Sequence, residues 1–303
     1  MAQTSARELL SRGHADEALR ILTDKAKIEP RNAEVFNLMN RLYYALEDWD
    51  NAARNGERAV SLQPASYENH LWLGRAYGEK ADNASPFSAM GLARKSVDEL
   101  YRALQLNPGD GQVRMDLAEF YVEAPGIVGG GRDKASRLAD EVERTQPAVA
   151  LWIRARVANK DKNLPEAERL FRKAADAGND PAFIVELARF YKWNQRWAEM
   201  EKEIVRAMAS PRRKPIDLFN AGELLSGSGR NLQGGIQIMR DYLAGGTVEE
   251  GPAFRAHALI GEMYSKLGDR ERAIAEYNSA LALASNYRFA REGLKRLGVS
   301  AQS

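Results

Sequence analysis

The chain has no cysteine and only three histidines in 303 residues. Without cysteine there can be no disulfide, no thiol catalysis and no cysteine metal site, although its absence assigns no compartment. His14, His70 and His257 lie far apart, so the short spacing of a paired imidazole metal site does not occur. No apolar run approaches the length of a membrane span. Neither sign of charge dominates: 44 Lys and Arg face 42 Asp and Glu, for a net charge of +2. The two signs are interspersed, which argues against a dedicated nucleic-acid binder with a basic stripe. The densest basic run, Arg212-Arg213-Lys214, reads as a solvated turn, and Glu249-Glu250 as solvated loop charge. A Gly-x-Ser-x-Gly elbow is missing. No catalytic residue, cofactor or metal is implied.

What is present is periodic. A small residue recurs about every 34 residues, at Ala6, Asn40, Gly74, Ala118, Ala155, Ala188, Gly222 and Gly261. A second small residue follows each one, at Ala18, Ala52, Ser96, Ala135, Ala167, Met200, Gly234 and Ala273. The gap is 12 in six of the eight, with Asn40 and Met200 the poorest fits, and 22 and 17 in the third and fourth. Three residues after the first small position comes a bulky one, as at Tyr43, Tyr77, Tyr121, Tyr191 and Tyr264. Two helices approach closely only where one side chain is small and a large neighbour fills the adjoining hole. Proline closes several units, at Pro30, Pro64, Pro108, Pro147 and Pro211, because it lacks the N–H that would continue a helix. One hairpin cannot bury its apolar face alone, so neighbours must stack. The 44% hydrophobic fraction suffices for that burial.

The unit His257–Leu259–Ile260–Gly261–Tyr264 with Ala273, Tyr277 and Ala280 resembles the tetratricopeptide repeat, as does Phe36–Tyr43–Ala52–Ala59–Pro64. The resemblance covers nearly the whole chain. It implies an all-α, right-handed α-solenoid of about eight helical hairpins plus a C-terminal capping helix. As a single solenoid over 1–303, the repeats fall at about 2–30, 31–64, 65–108, 109–147, 148–180, 181–214, 215–247 and 253–285, with the cap at 286–297. Tyr287, Ala290, Leu294 and Leu297 share one face of that cap, and charged residues cover the rest.

Units three and four carry extra residues between their helices, at 79–95 and 124–131, so both inserts should emerge on one edge. Pro86-Phe87 and Ile127-Val128 are expected to pack near each other there. These inserts are similar to those of a subgroup of bacterial repeat proteins without assigned activity. The loop Gly126-Ile127-Val128-Gly129-Gly130-Gly131 invites a phosphate reading. It follows a helix rather than a strand, however, and Lys134 precedes Ala135, so a structural loop with Asp133 capping the next helix is expected. His70 and His257 occupy equivalent packing slots. Unit seven, rich in glycine, is expected to be the loosest.

The residue after each first-helix small position is Arg7, Arg41, Arg75, Glu119, Arg156, Arg189, Glu223 and Glu262. The resemblance implies that this slot faces a concave groove. Residues four before and three after share its face, adding Asn37, Tyr44, Leu71, Met115, Trp152, Asn159, Val185, Lys192 and Phe219, with Trp193 beside them. The peptide-binding groove expected is therefore Arg41, Tyr44, Arg75, Trp152, Arg156, Arg189, Lys192, Trp193 and Phe219. Arginine forks suit carboxylates, so the expected partner is a protein or peptide with acidic or C-terminal carboxylate groups. The alternative is that the arginines pair with carboxylates inside the chain, such as Glu34, Glu68 or Glu79. The family's chaperone-tail clamp uses Lys and Asn, whereas this slot holds no Asn and the flanking Asn37 has no matching lysine beside it.

The expected function is a protein- or peptide-binding scaffold without catalysis. The rival is an accessory or substrate-capturing subunit of a cell-envelope enzyme or glycan-assembly complex. Met1-Ala2-Gln3 leads almost directly into the first repeat, which suits both a start placed after a removed export signal and a native cytoplasmic start.

Overall fold

A computed structural model describes residues 5–177 and 180–299. Met1-Ala2-Gln3, on which the compartment reading turned, lies outside the described residues. These contain seventeen α-helices: α1 Ala6–Ser11, α2 Ala15–Ile28, α3 Ala33–Ala45, α4 Trp49–Leu62, α5 Tyr67–Asp82, α6 Pro86–Leu106, α7 Gly111–Glu123, α8 Arg132–Val142, α9 Pro147–Lys160, α10 Leu164–Ala177, α11 Pro181–Trp193, α12 Trp197–Met208, α13 Pro215–Ser228, α14 Leu232–Gly245, α15 Ala253–Lys266, α16 Arg270–Leu283 and α17 Arg288–Arg296. Short connectors join them as eight consecutive helix pairs followed by α17. The β-structure among the described residues is a single isolated bridge between Val248 and Gly251. The fold is all-α, and no described helix is long and apolar enough to cross a membrane.

The chain divides into two compact units, Asp24–Tyr44 with Asp48–Asn179 (the middle unit) and Met1–Thr23 with Ala45–Glu47 and Asp180–Ser303 (the end unit). In the middle unit, several helices start where a side chain accepts an orphan N–H. Asp48 caps α4 through Asn51, Ser66 caps α5 through Asn69, and Asp110 caps α7 through Gln112 and Val113. Asp133 does not cap α8 as expected. The cap position is Gly131, and the Asp133 carboxylate sits one turn before Arg137 and pairs with it at 2.9 Å. The repeat's small residues are buried against large ones: Ala52, Ala53, Leu73, Ala76 and Tyr77 form one cluster.

The extra residues of unit three are not a connector. They lengthen α5 to 16 residues and α6 to 21, leaving only 83–85 between them. Pro86 sits at the first turn of α6, where its missing N–H costs nothing, and no glycine or proline then interrupts the helix before Gly91. The second insert is a connector, folded around the 3-10 turn Gly126–Val128. The two inserts meet differently from expectation. Val128 is buried, Gly129 lies against Val97, and Arg94 donates to the Ile127 carbonyl at 2.9 Å, while the Phe87 and Ile127 side chains stay exposed.

His70 and Arg114, each four residues before its unit's small residue, hold equivalent joints. His70 Nε2 lies 2.9 Å from the Pro64 carbonyl and Nδ1 2.5 Å from Glu99. Arg114 donates to the Pro108 carbonyl at 3.0 Å and to Glu141 at 2.9 Å. In the end unit His257 repeats half the arrangement, with Nδ1 2.7 Å from Glu276. In the two complete joints, one side chain ties the turn that opens a unit to the second helix of the same unit.

The end unit is assembled from both ends of the sequence. The Thr247 hydroxyl donates to the Ser11 carbonyl at 3.0 Å, and the Ser285 N–H donates to the Asp16 carboxylate at 2.9 Å. Gly13 makes the turn between α1 and α2 at φ 74, so close to α15 that an added Cβ would lie 2.3 Å from the Ala253 nitrogen. The seat is the connector between α14 and α15. There the Tyr242 hydroxyl accepts from Val248 N–H at 2.8 Å and donates to the Gly251 carbonyl. Two glycines of the α13–α14 pair mark close contact: a Cβ on Gly222 would meet Met239 at 2.7 Å, and one on Gly235 would meet Met263 at 2.7 Å, whereas Gly229, Gly245 and Gly246 face open space. At the chain's end, α17 buries Tyr287, Ala290 and Leu294 and exposes its charges.

Candidate functional site

Arg41, Tyr44, Arg75, Trp152 and Arg156 lie in the middle unit, and Arg189, Lys192, Trp193 and Phe219 in the end unit. In the middle unit three of them gather on one ring. The Arg41 and Arg75 guanidinium carbons stand 5.1 Å and 4.8 Å from the centre of the buried Trp72 ring, and Tyr44 meets the same ring edge-on at 5.5 Å. Arg75 also donates to Asp116 of α7 at 2.6 Å. Trp152 is buried, and Arg156, buried as well, stands over its ring at 5.7 Å. Arg156 donates to Glu119 at 2.9 Å and Glu123 at 3.1 Å, and Lys160 reaches Glu123 at 2.7 Å. The arginines of α5 and α9 thus engage carboxylates of α7. Trp72, Asp116 and Glu123 were absent from the expected groove, and Glu119 was named only as a slot residue. Trp72 lies three residues before Arg75, a helical-neighbour spacing that could have revealed it.

Beside these contacts lies an open cavity of about 620 Å³, lined by α5, α6, α7 and the connector after α7. Gly74, Gly78, Ala81, Ala89 and Ala93 keep its walls low, with Leu100, Phe120 and Val128 behind them. Its charged lining is Glu79, Asp82, Asp116, Glu119 and Glu123 against Arg75. The long α6 supplies the wall that no regular repeat would have.

In the end unit the slot behaves otherwise. Arg189 pairs with Glu186 on its own helix at 3.1 Å. Lys192 runs against α13, where a Cβ on Gly227 would come within 2.5 Å of Nζ. Burial pushes its ammonium below the ordinary lysine value, and the nearby Arg189 and Lys266 charges push the same way, with Glu223 opposing. Trp193, next in sequence, is 43% exposed. Phe219 is buried against Gly251, with the Arg255 guanidinium 5.6 Å from its ring centre. The slot acids of this unit are engaged too: Glu223 by Arg255 at 3.2 Å, and Glu262 by Arg296 at 2.7 Å.

The glycine loop satisfies its amides internally. The N–H groups of Val128, Gly129, Gly130 and Gly131 donate to the carbonyls of Pro125, Gly126, Pro125 and Tyr121. Lys134 Nζ donates to the Gly129 carbonyl at 2.8 Å. A phosphate cradle needs such donors aimed outward, and here they point inward.

No family model matches the chain, and no curated protein does. Among solved structures it is similar to a chain of the APC/C hetero-tetramer Cut9–Hcn1, at 15% identity over 96% of this chain and 54% of that one, with a TM-score of 0.44. The chain spans about half the length of that relative. It is also similar to a thermophilic TPR protein of Thermus thermophilus, at 18% identity over 70% of this chain and 90% of that one, with a TM-score of 0.44. Yeast Tom70 is similar at 11% identity over 96% of this chain and 79% of that one, with a TM-score of 0.48. The helical repeat described above is consistent with a tetratricopeptide-repeat protein.

Proposed function

We propose that the protein is a protein- or peptide-binding scaffold that performs no chemistry of its own. Its partner is met along the slot after each first-helix small residue. The observation that supports this most is at α11, where a desolvated Lys192 lies near Arg189 and Lys266, beside a partly exposed Trp193. A partner carboxylate at this place would relieve the crowding of cations and gain charge-assisted hydrogen bonds. The indole offers a flat apolar contact next to it. On this reading Arg189, Lys192 and Trp193 meet an acidic side chain or a C-terminal carboxylate. Arg41, Tyr44 and Arg75 present the polar rim around Trp72. Trp152, Arg156 and Phe219, being buried, shape the surface rather than touch the partner.

The test uses random peptides displayed with free C-termini and selected against the full chain. A selected carboxylate-bearing peptide should bind the double variant Lys192→Met with Arg189→Gln roughly tenfold more weakly or worse, with helicity unchanged. Its binding to the wild type should also weaken with salt, because the contacts are partly exposed. Retained affinity in the variant sinks the carboxylate reading. Failure to enrich any peptide sinks the scaffold reading itself.

A further inference from the structure

We infer that the cavity beside Ala158, between α8, α9 and α10, is a docking site for a tyrosine or phenylalanine side chain of a partner protein. The inference rests on the scaffold reading and adds to it one place and its chemistry. Ala158 stands three residues after the first small residue of its unit. Seven of the eight units hold Leu or Tyr at that position, as at Tyr77, Tyr191 and Tyr264, and the fifth holds alanine. There the chain omits the large neighbour that fills the hole beside a close helix contact. The chain's own tyrosines show which hole this is. The Tyr77 hydroxyl donates to Glu57 of α4 at 2.5 Å, and Lys95 of α6 stands 5.0 Å from its ring centre. Arg240 of α14 donates to the Tyr264 hydroxyl at 2.7 Å, and Arg272 of α16 stands 5.0 Å from that ring centre. The ring thus belongs between its own unit's two helices and the second helix of the unit before. In the fifth unit those helices are α9, α10 and α8, and an open cavity of about 500 Å³ lies among them. That volume falls in the range of ligand sites.

The lining suits an aromatic guest. Leu151, Val157 and Leu170 supply apolar contact around Ala158. Arg154 and Arg169 line the same cavity, and both are already paired. Arg154 donates to Glu143 at 2.8 Å and to Asp140 at 2.9 Å, and Arg169 donates to Glu166 at 2.7 Å. No unpaired charge is needed, because a guanidinium makes its hydrogen bonds in its own plane and keeps its faces for a ring. The chain uses paired arginines in this way elsewhere. Arg196 donates to Glu199 at 2.8 Å and stands 4.7 Å from the Tyr191 ring centre. Arg272 pairs with Asp269 at 2.7 Å while it stands over Tyr264. A partner's ring at Ala158 would complete from outside what Tyr191 and Tyr264 complete from within. Aromatic side chains seated in pockets are also the usual anchors of protein interfaces, which favours a protein as the source of the ring.

Random peptides displayed on phage and selected against the full chain test this. One class of enriched sequences should depend on a single Tyr or Phe, losing roughly tenfold or more in affinity when that residue becomes alanine. Ala158→Tyr gives the fifth unit the residue its neighbours carry. That variant should keep its helicity and melting temperature and bind the same peptide roughly tenfold more weakly or worse. Arg169→Gln, which changes a half-exposed side chain, should weaken the peptide about threefold. Aromatic peptides that bind a folded Ala158→Tyr variant as tightly as the wild type overturn the site and leave the scaffold reading standing. If Ala158→Tyr does not fold, unchanged affinity on Arg169→Gln overturns the site instead. So does a selection in which no peptide depends on an aromatic residue, such as one yielding only acidic peptides that answer to Arg189 and Lys192. Binding of p-cresol, the tyrosine side chain as a free molecule, as tight as that of the peptide would make the guest a small aromatic and overturn the peptide form. If no peptide is enriched, both readings fall together.

Discussion

In the middle unit, Arg75 and Arg156 reach carboxylates on a helix of the adjacent hairpin. In the end unit, Arg189 pairs within its own helix, and Lys192 is desolvated near Arg189, Glu223 and Lys266. The two regions share a repeat and a slot yet use the slot's charge differently. Where base and acid alternate between successive hairpins, the charge is absorbed as structure. Where Arg189 is followed by Lys192 and then by Trp193, a cation is held in poor solvation, which on the proposed reading a guest carboxylate would relieve. A second contrast runs beside it. The middle unit is built almost entirely from hairpins consecutive in sequence, whereas the end unit needs α1 and the α1–α2 turn from the opposite end of the chain.

The largest effect expected is on that second contrast. Gly13→Ala adds a methyl against the Ala253 backbone and forces a left-handed φ on alanine. Strain and clash together should cost about 3 kcal/mol. Hydrogen exchange should show the loss in α13 to α17 while α5 to α9 keep their protection. Gly126→Ala in the middle unit, where an added Cβ meets nothing within 4 Å, should change little. Equal loss of protection in both units would dissolve the contrast.

Next comes the charge contrast. Arg156→Met should destabilise the middle unit by about 1 kcal/mol, a figure kept low because Glu119 and Glu123 are half exposed and regain water. Lys192→Met should leave melting temperature unchanged or raise it, since it removes a charge that burial and neighbouring cations disfavour. Denaturant titrations of both variants read the difference. A Lys192→Met protein that melts earlier than Arg156→Met would invert the assignment of roles.

The smallest effect is alkaline. Burial pushes the Tyr242 hydroxyl up to about 12, from 10.0 in the unfolded chain. The folded state keeps a proton that the unfolded state releases first, so this contribution is whole below about pH 10 and is lost as pH rises through about 12. Ultraviolet titration should show Tyr242→Phe removing one late-ionising phenol and lessening the alkaline loss of end-unit protection. A phenol titrating at the ordinary value would mean that the seat for Gly13 is open.

Helix positions were legible because the small-and-large periodicity is a packing rule written locally. Gly261 against Tyr277 and Ala118 in α7 needed nothing beyond their own hairpin. The insert of unit three was legible as extra length but not as longer helices, because apolar and small residues such as Phe87, Ala89 and Met90 carry no signal that separates a helix overhang from a loop. Asp133 failed as a cap because Gly131 and the folded connector set the helix start earlier. The candidate groove was legible in composition only. Arg75 and Arg156 have the right spacing, but Asp116, 41 residues after Arg75, and Glu119, 37 before Arg156, become their partners through packing of successive hairpins.

Sequence alone determined the all-α hairpin architecture, the place of the two irregular units and the face of α17 that is buried. Each of these depends on residues within one helix or one turn of each other, whose geometry the backbone dictates. Tertiary structure alone decided which arginines are engaged by carboxylates, that the lengthened α6 walls a cavity, and that Gly13 docks beside Ala253. The contacts of Arg75, Arg114 and Arg156 with carboxylates, and that of Gly13 with Ala253, join residues 27 to 240 positions apart. Their formation depends on how helices stack, a property of the assembled chain that no local pattern carries.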